Sequence, residues 1–152
     1  MSRTQLTRAV LDAQLAAVGR PPYAGPDDPE ALRHGCLDAA LAAYERGAQP
    51  RRAVVRGAVR FLLDRLVATA PGRSVEVRVP PYAAVQCVEG PRHTRGTPPN
   101  VVEMDAATWI GLATGRLAWA AAVESGAVRA SGSRADLQVH LPVPTGPPAK
   151  PG

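Results

Sequence analysis

Apolar residues recur every three to four positions through the first seventy residues, which is the spacing of one face of an α-helix. The pattern is clearest over residues 51–69, where Arg52, Arg56 and Arg60 lie opposite the apolar stripe. The members of that stripe are Val55, Val59, Leu62 and Leu66. The same period predicts helices over residues 3–18 and from Pro29 to just before Gly47. In the second helix Asp28 is the expected N-cap, and a proline suits the first helical position.

After Pro71-Gly72 the apolar period changes to two, which indicates β-strands with one buried face. Residues 74–79 and 83–88 form a predicted hairpin, with Pro80-Pro81-Tyr82 as its turn. Proline cannot donate to a central ladder, so it fits that turn. The later predicted elements are a strand at 100–104, a helix capped by Asp105 that ends before Gly115, a helix at 117–125 and a strand at 127–131.

Ser133 and Asp136 have the spacing of a capping box, which predicts a last helix that includes Leu137 and ends near Pro142. Residues 142–152 contain five prolines in eleven positions and are predicted to be a disordered tail. The expected organisation is one domain over residues 1–141, of which residues 1 to about 70 form an N-terminal helical extension.

Composition narrows the class of protein. Aromatic residues are only 4% of the chain, so the core must be built from Ala, Val and Leu. The net charge is +5, but the 18 basic residues are spread along the chain and include one lysine, so we expect no nucleic-acid partner. Cys36 and Cys87 are too few for a disulfide framework and are expected to be buried free thiols. The sequence has no run of about 18 apolar residues, which is the length that a membrane-spanning helix needs. Arg3 and Arg8 interrupt any signal-peptide core, so we expect a cytoplasmic protein.

Few residues suggest reaction chemistry. The three histidines, His34, His93 and His140, have no metal-ligand spacing, and phosphate-loop and nucleophile-elbow motifs are missing. We therefore expect no enzyme activity, no cofactor and no metal. The polar group that remains comprises Glu89, Arg92, His93, Arg95 and Asn100. These side chains could hold a carboxylate or phosphate, or they could pair internally, for example Arg95 with Glu103.

The string TWIGLATGRLAWAAAVESGAVRASGSRADL, residues 108–137, resembles the closing segment of sterol carrier protein domains. In those domains a leucine-rich turn and a second helix each end at a glycine, and a strand then runs into Ser-Gly before the last helix. The matching positions here are Leu112, Gly115, Gly126, Ser131 and Gly132. Residues 79–103 are also similar to the small actinobacterial proteins regarded as bacterial sterol carrier orthologues.

The resemblance implies an α+β fold in which a mixed or antiparallel sheet of four or five strands has helices packed on one face. It also implies an apolar tunnel between the two layers and a non-catalytic carrier for a lipid-like hydrophobic molecule, such as a fatty acyl chain or a sterol. An interaction module that docks through its N-terminal helices, or a homodimer, is the alternative without a ligand. The expected apolar contacts are Leu62, Leu66, Val77, Val85, Trp109, Leu112, Leu117, Trp119 and Val123, and the expected polar contacts at the tunnel mouth are Arg92, His93 and Arg95.

Overall fold

The computed structural model describes residues 5–90 and 100–146. The element order follows the sequence prediction: three helices, a hairpin, a strand, two short helices and a strand. The helices are α1 (Arg8–Ala17), α2 (Pro29–Glu45), α3 (Arg52–Thr69), α4 (Ala106–Ala113) and α5 (Trp119–Glu124). The strands are β1 (Val75–Val79), β2 (Ala83–Cys87), β3 (Asn100–Met104) and β4 (Val128–Ser131).

The chain divides into two compact units whose boundary falls within α3, after Phe61. The helical unit contains α1, α2 and the first half of α3. The sheet unit runs from Leu62 to Thr145.

In the helical unit α1 and α2 bury their apolar faces against each other. Leu11 of α1 is fully buried, and Val18 lies in a buried cluster with Ala42 and Ala43 of α2. The predicted cap is confirmed, because Asp28 Oδ1 accepts the N–H of Ala31 at 2.9 Å. Docking through α1 and α2 would need uncovered apolar faces, and here these two helices cover each other; docking through α3 and a homodimer stay predictions.

Arg8 ties the loop between α1 and α2 to the first helix. Its Nε lies 2.7 Å from Asp27 Oδ1, its guanidinium donates to the Tyr23 carbonyl at 2.6 Å and to the Gly25 carbonyl, and it stacks over the Tyr23 ring. Asp12 completes the arrangement by accepting the N–H of Tyr23 at 2.7 Å. This arginine therefore has a structural partner set within the helical unit.

The sheet unit contains a mixed four-stranded sheet with the order β2-β1-β3-β4. β1 pairs antiparallel with β2 and parallel with β3, and β4 pairs antiparallel with β3. The hairpin turn is closed by the N–H of Tyr82, which donates to the Val79 carbonyl at 2.9 Å. The α+β class and the mixed sheet predicted from the sequence are confirmed.

The two faces of this sheet differ in character. The inner face carries Val75, Val77 and Val79 of β1, all fully buried, and Val102 and Met104 of β3. The buried apolar side chains that complete this core come from the second half of α3, from α4 and from α5. The alternate positions on the strands form the outer face, which is half-buried or exposed. Its members include Glu76, Arg78, Ala84, Gln86, Val101, Glu103, Arg129 and Ser131.

The prediction of a last helix capped by Ser133 is wrong. The chain makes only a short 3-10 helix at Gln138–His140, and Asp136 Oδ1 accepts the N–H of Gln138 at 2.8 Å instead of closing a capping box. The physical reason is that the N–H of Arg134, which a helix start would leave free, is bonded elsewhere, to Asn100 Oδ1 at 2.9 Å.

The segment predicted as a tail, residues 142–152, begins with residues that are packed on the sheet unit. Val143 is buried, and its N–H donates to the Ala113 carbonyl at 2.9 Å, so the first residues after Pro142 pack on the end of α4. Residues 147–152 lie outside the described residues.

Candidate functional site

Most of the predicted apolar contacts lie in the core of the sheet unit. Six of them are buried, with exposed fractions of 9% or less. They are Leu62 and Leu66 of α3, Val77 of β1, Trp109 and Leu112 of α4 and Trp119 of α5. Inner strand positions and helix positions thus contribute to one apolar core.

The other three predicted contacts are not buried, although Val85 lies opposite Val77 in the strand register. Val85 and Leu117 are only half-buried, and Leu117 folds back over Gly111 of α4. Val123 is 43% exposed and lies outside the buried core, so its role as a ligand contact stays a prediction. In the six-residue helix α5 the buried positions are Trp119 and Ala122, and the next residue points about 100° away from Ala122.

Val123 instead borders a shallow depression beside the edge strand β4, with a volume of about 600 Å³. The lining is half polar and includes Arg78, Glu103 and Arg129. The ion pair of Arg129 with Glu103, at 2.7 Å, lies in the lining. Arg78, also in the lining, pairs at 2.7 Å with Glu76 outside it. The depression therefore lies mainly on the charged outer face, and the core residue Val128 also lines it.

A polar network lies where β1 and β3 begin and β2 and β4 end, and we call this edge the Ser74 end of the sheet. Ser74 and Asn100 are both 2% exposed. Ser74 Oγ donates to the Val88 carbonyl at 2.7 Å, and Asn100 Nδ2 donates to the Ser74 carbonyl at 2.8 Å. Asn100 Oδ1 accepts the N–H of Arg134 at 2.9 Å. Every buried polar side chain atom of the described residues has a hydrogen-bond partner, so this network is satisfied.

Val88 is held in a backbone conformation that β-branched residues avoid, with φ of 65°. Its N–H donates to the Ala70 carbonyl at 2.7 Å, and its carbonyl accepts two hydrogen bonds from Ser74. Gly72, with φ of 150°, allows this approach, because a Cβ there would lie 2.1 Å from the Val88 carbonyl oxygen. Three hydrogen bonds and one glycine thus fix the chain as it leaves β2.

The family model described as bacterial SCP ortholog matches residues 51–143, which is more than half of the chain. The chain belongs to the bacterial SCP ortholog family. No curated protein matches it. The matched region contains α3 and every strand of the sheet, and it includes the six buried contacts and the Ser74 end.

This membership confirms the resemblance to sterol carrier proteins. The mixed sheet with helices is the arrangement expected of such a fold.

Both thiols of this SCP ortholog are buried, as predicted. Burial raises the pKa of Cys87 to about 11 and the pKa of Cys36 to about 12, because a thiolate would be desolvated there. At neutral pH both are neutral thiols, which are poor nucleophiles. Within residues 5–90 and 100–146 no cluster of His, Cys, Asp and Glu has the geometry of a metal site. In the same residues no helix is long and apolar enough to cross a bilayer.

The predicted polar contacts Arg92, His93 and Arg95 lie outside the described residues, so their role stays a prediction. Asn100, which sequence analysis grouped with them, uses its amide inside the sheet unit. Glu103, suggested as a partner of Arg95, pairs with Arg129. Sequence analysis missed Arg134, because the SRAD string has the pattern of a helix cap and its partner is 34 residues away.

Proposed function

We propose that this SCP ortholog is a non-catalytic carrier that binds a lipid-like hydrophobic small molecule, such as a fatty acyl chain or a sterol, against the inner face of its sheet. One observation carries the proposal. In a member of the bacterial SCP ortholog family, the inner face presents a continuous row of small aliphatic side chains that α4 and α5 complete with two tryptophans.

Physical chemistry favours such a ligand. Each CH₂ group transferred from water to an apolar interior contributes about 0.8 kcal/mol, so an acyl chain of moderate length is bound strongly without polar contacts. The interior is poor in large rings, and valine and alanine side chains leave a ligand more room than aromatic side chains would. The proposed contacts are the six buried residues Leu62, Leu66, Val77, Trp109, Leu112 and Trp119.

The absence of catalysis forms part of the proposal. A nucleophile or general base must be accessible to substrate and in the right protonation state near neutral pH. The two thiols are buried and neutral, and the Asn100 amide and the Ser74 hydroxyl are both hydrogen-bonded to backbone groups. These features suit a scaffold that holds a molecule without changing it.

Native mass spectrometry of the full chain tests the proposal. We expect a 1:1 complex with added dodecanol, fatty acid or sterol, and quenching or a shift of the tryptophan fluorescence on binding. Leu112→Ala removes part of a buried side chain of α4 and should change the preferred chain length of the ligand. Val123→Ala changes an exposed side chain of α5 and should leave that preference unchanged. Failure of every fatty acid, fatty alcohol and sterol to bind would overturn the proposal.

A further inference from the structure

Arg134 combines a fixed backbone with an exposed guanidinium. Its N–H is bonded to Asn100 Oδ1, and Asn100 is held by its bond to the Ser74 carbonyl. Among the described residues no carboxylate forms an ion pair with Arg134. Arg78 and Arg129 of the same unit, by contrast, are each paired with a glutamate at 2.7 Å. Within residues 5–90 and 100–146, Arg134 is thus a positioned cation without a carboxylate partner.

Gly90 leaves the space that this guanidinium occupies. A Cβ at position 90 would lie 3.2 Å from Nη1 of Arg134 and 2.7 Å from the Cβ of Ser74. Any side chain there would have to displace the arginine or the serine. The missing side chain therefore allows the Arg134 guanidinium to lie beside the Ser74 end of the sheet.

The Ser74 end is also the polar end of the inner face. Along β3 the inward positions run from Asn100 to Val102 and Met104, and along β1 they begin at Val75 directly after Ser74. A molecule whose hydrocarbon chain lies along these strands would meet apolar side chains over its length and polar groups at one end. An amphiphile has that distribution of polarity.

We propose that Arg134 binds the anionic head group, a carboxylate or a phosphate, of an amphiphile whose hydrocarbon chain lies along the inner face. The inference rests on the proposed function. It adds the chemical class of the head group and the residue that binds it. Arginine suits the role because its planar fork can donate two parallel hydrogen bonds to two oxygens of such a group. Lysine would keep the charge and lose the fork.

Three probes of equal chain length test the inference by titration calorimetry below their micelle concentrations: dodecanol, dodecanoate and dodecyl phosphate. The wild type should bind the two anions about tenfold or more tightly than the alcohol. Arg134→Gln should remove that preference and leave the affinity for dodecanol unchanged, which also reports that the apolar region is intact. Arg134→Lys should retain part of the preference. Arg20→Gln, at an exposed loop position of the helical unit, is the control with the same change of net charge.

The outcomes separate the two proposals. If dodecanol and the anions bind the wild type equally, or if Arg134→Gln keeps the preference, the head-group inference is overturned and the carrier proposal stands. If none of the three probes binds, the carrier proposal fails with it. Inorganic phosphate alone distinguishes the source of the anion. If inorganic phosphate binds the wild type as tightly as dodecyl phosphate does, and if Arg134→Gln loses this binding, the site binds a free anion and the proposal of an amphiphile is overturned.

Discussion

The inner and outer faces of the sheet use the same strands for opposite purposes. Successive residues of β3 show this: Met104 is 3% exposed and packs in the core, while Glu103 beside it forms an ion pair with Arg129, whose side chain is 75% exposed. Burial makes each inner position costly to change, whereas water and salt screen the outer charges. Stability and ligand binding should therefore depend on the inner face far more than on the outer face.

The largest expected difference between the faces comes from truncation of adjacent residues. Met104→Ala removes a buried side chain and should lower the free energy of unfolding by about 2–5 kcal/mol. Glu103→Ala removes one partner of an exposed pair and should cost at most about 1 kcal/mol. Urea unfolding followed by circular dichroism measures both. Equal losses for the two variants would mean that the faces do not differ in burial as described.

The polar exception on the inner face is Asn100, and its removal gives the next largest effect. Asn100→Ala leaves the Ser74 carbonyl and the Arg134 N–H without their partner, which should cost about 1–3 kcal/mol. Asn100→Asp is a useful companion, because it keeps an acceptor for Arg134 and loses the donor to Ser74. A loss below about 0.5 kcal/mol for Asn100→Ala would show that water replaces the amide readily.

The strand faces could be predicted from the sequence because they depend on local spacing. The alternation of Val75, Val77 and Val79 is enough to assign the inner side of β1, and Asp28 and Asp105 are caps whose partners lie three residues on. Such features follow from the period of the chain and the chemistry of one turn.

Features that depend on distant contacts could not be predicted in this way. The parallel pairing of β1 with β3 and the bond from Arg134 to Asn100 join residues far apart in sequence. The SRAD string follows a local rule for a helix start, yet the bond to Asn100 takes the N–H that the helix would use. The exposure of Val123 could not be predicted either, because a six-residue helix is too short for its apolar spacing to show which side faces the core. A shift of one residue turns the helix by about 100°.

The two faces should also differ in thiol chemistry. Cys87 is on the inner face, and its pKa is raised to about 11 by burial. As the pH rises above about 9, the unfolded chain loses the thiol proton before the folded chain does. Cys87 should therefore lower the free energy of unfolding by about 1.4 kcal/mol per pH unit between roughly pH 9 and 11. Cys36 adds a similar fall over this range, and Cys87→Ala should remove only the share of Cys87.

A matched thiol on the outer face sharpens that test. Gln86→Cys in the Cys87→Ala background places a thiol one residue away at an exposed position. It should titrate near its ordinary pKa and react with iodoacetamide at neutral pH, while Cys87 of the wild type stays unmodified until the protein unfolds. Cys36 remains in both proteins, and its pKa of about 12 keeps it unreactive as well. Rapid modification of native Cys87 would contradict a buried inner face.

The smallest effect belongs to the charges of the outer face. Arg129 and Glu103 lie opposite each other on β4 and β3 and form a pair at 2.7 Å. Cross-strand pairs of opposite charge contribute about 0.2–1 kcal/mol, and salt weakens them. A double-mutant cycle of Arg129→Ala and Glu103→Ala should give a coupling energy in this range at low salt that decreases in 1 M NaCl. Because the pair lies away from the apolar core, neither variant should change the affinity for dodecanol. A coupling energy above about 2 kcal/mol, or a change in dodecanol affinity, would place these charges in the ligand-binding part of the molecule and break the division between the two faces.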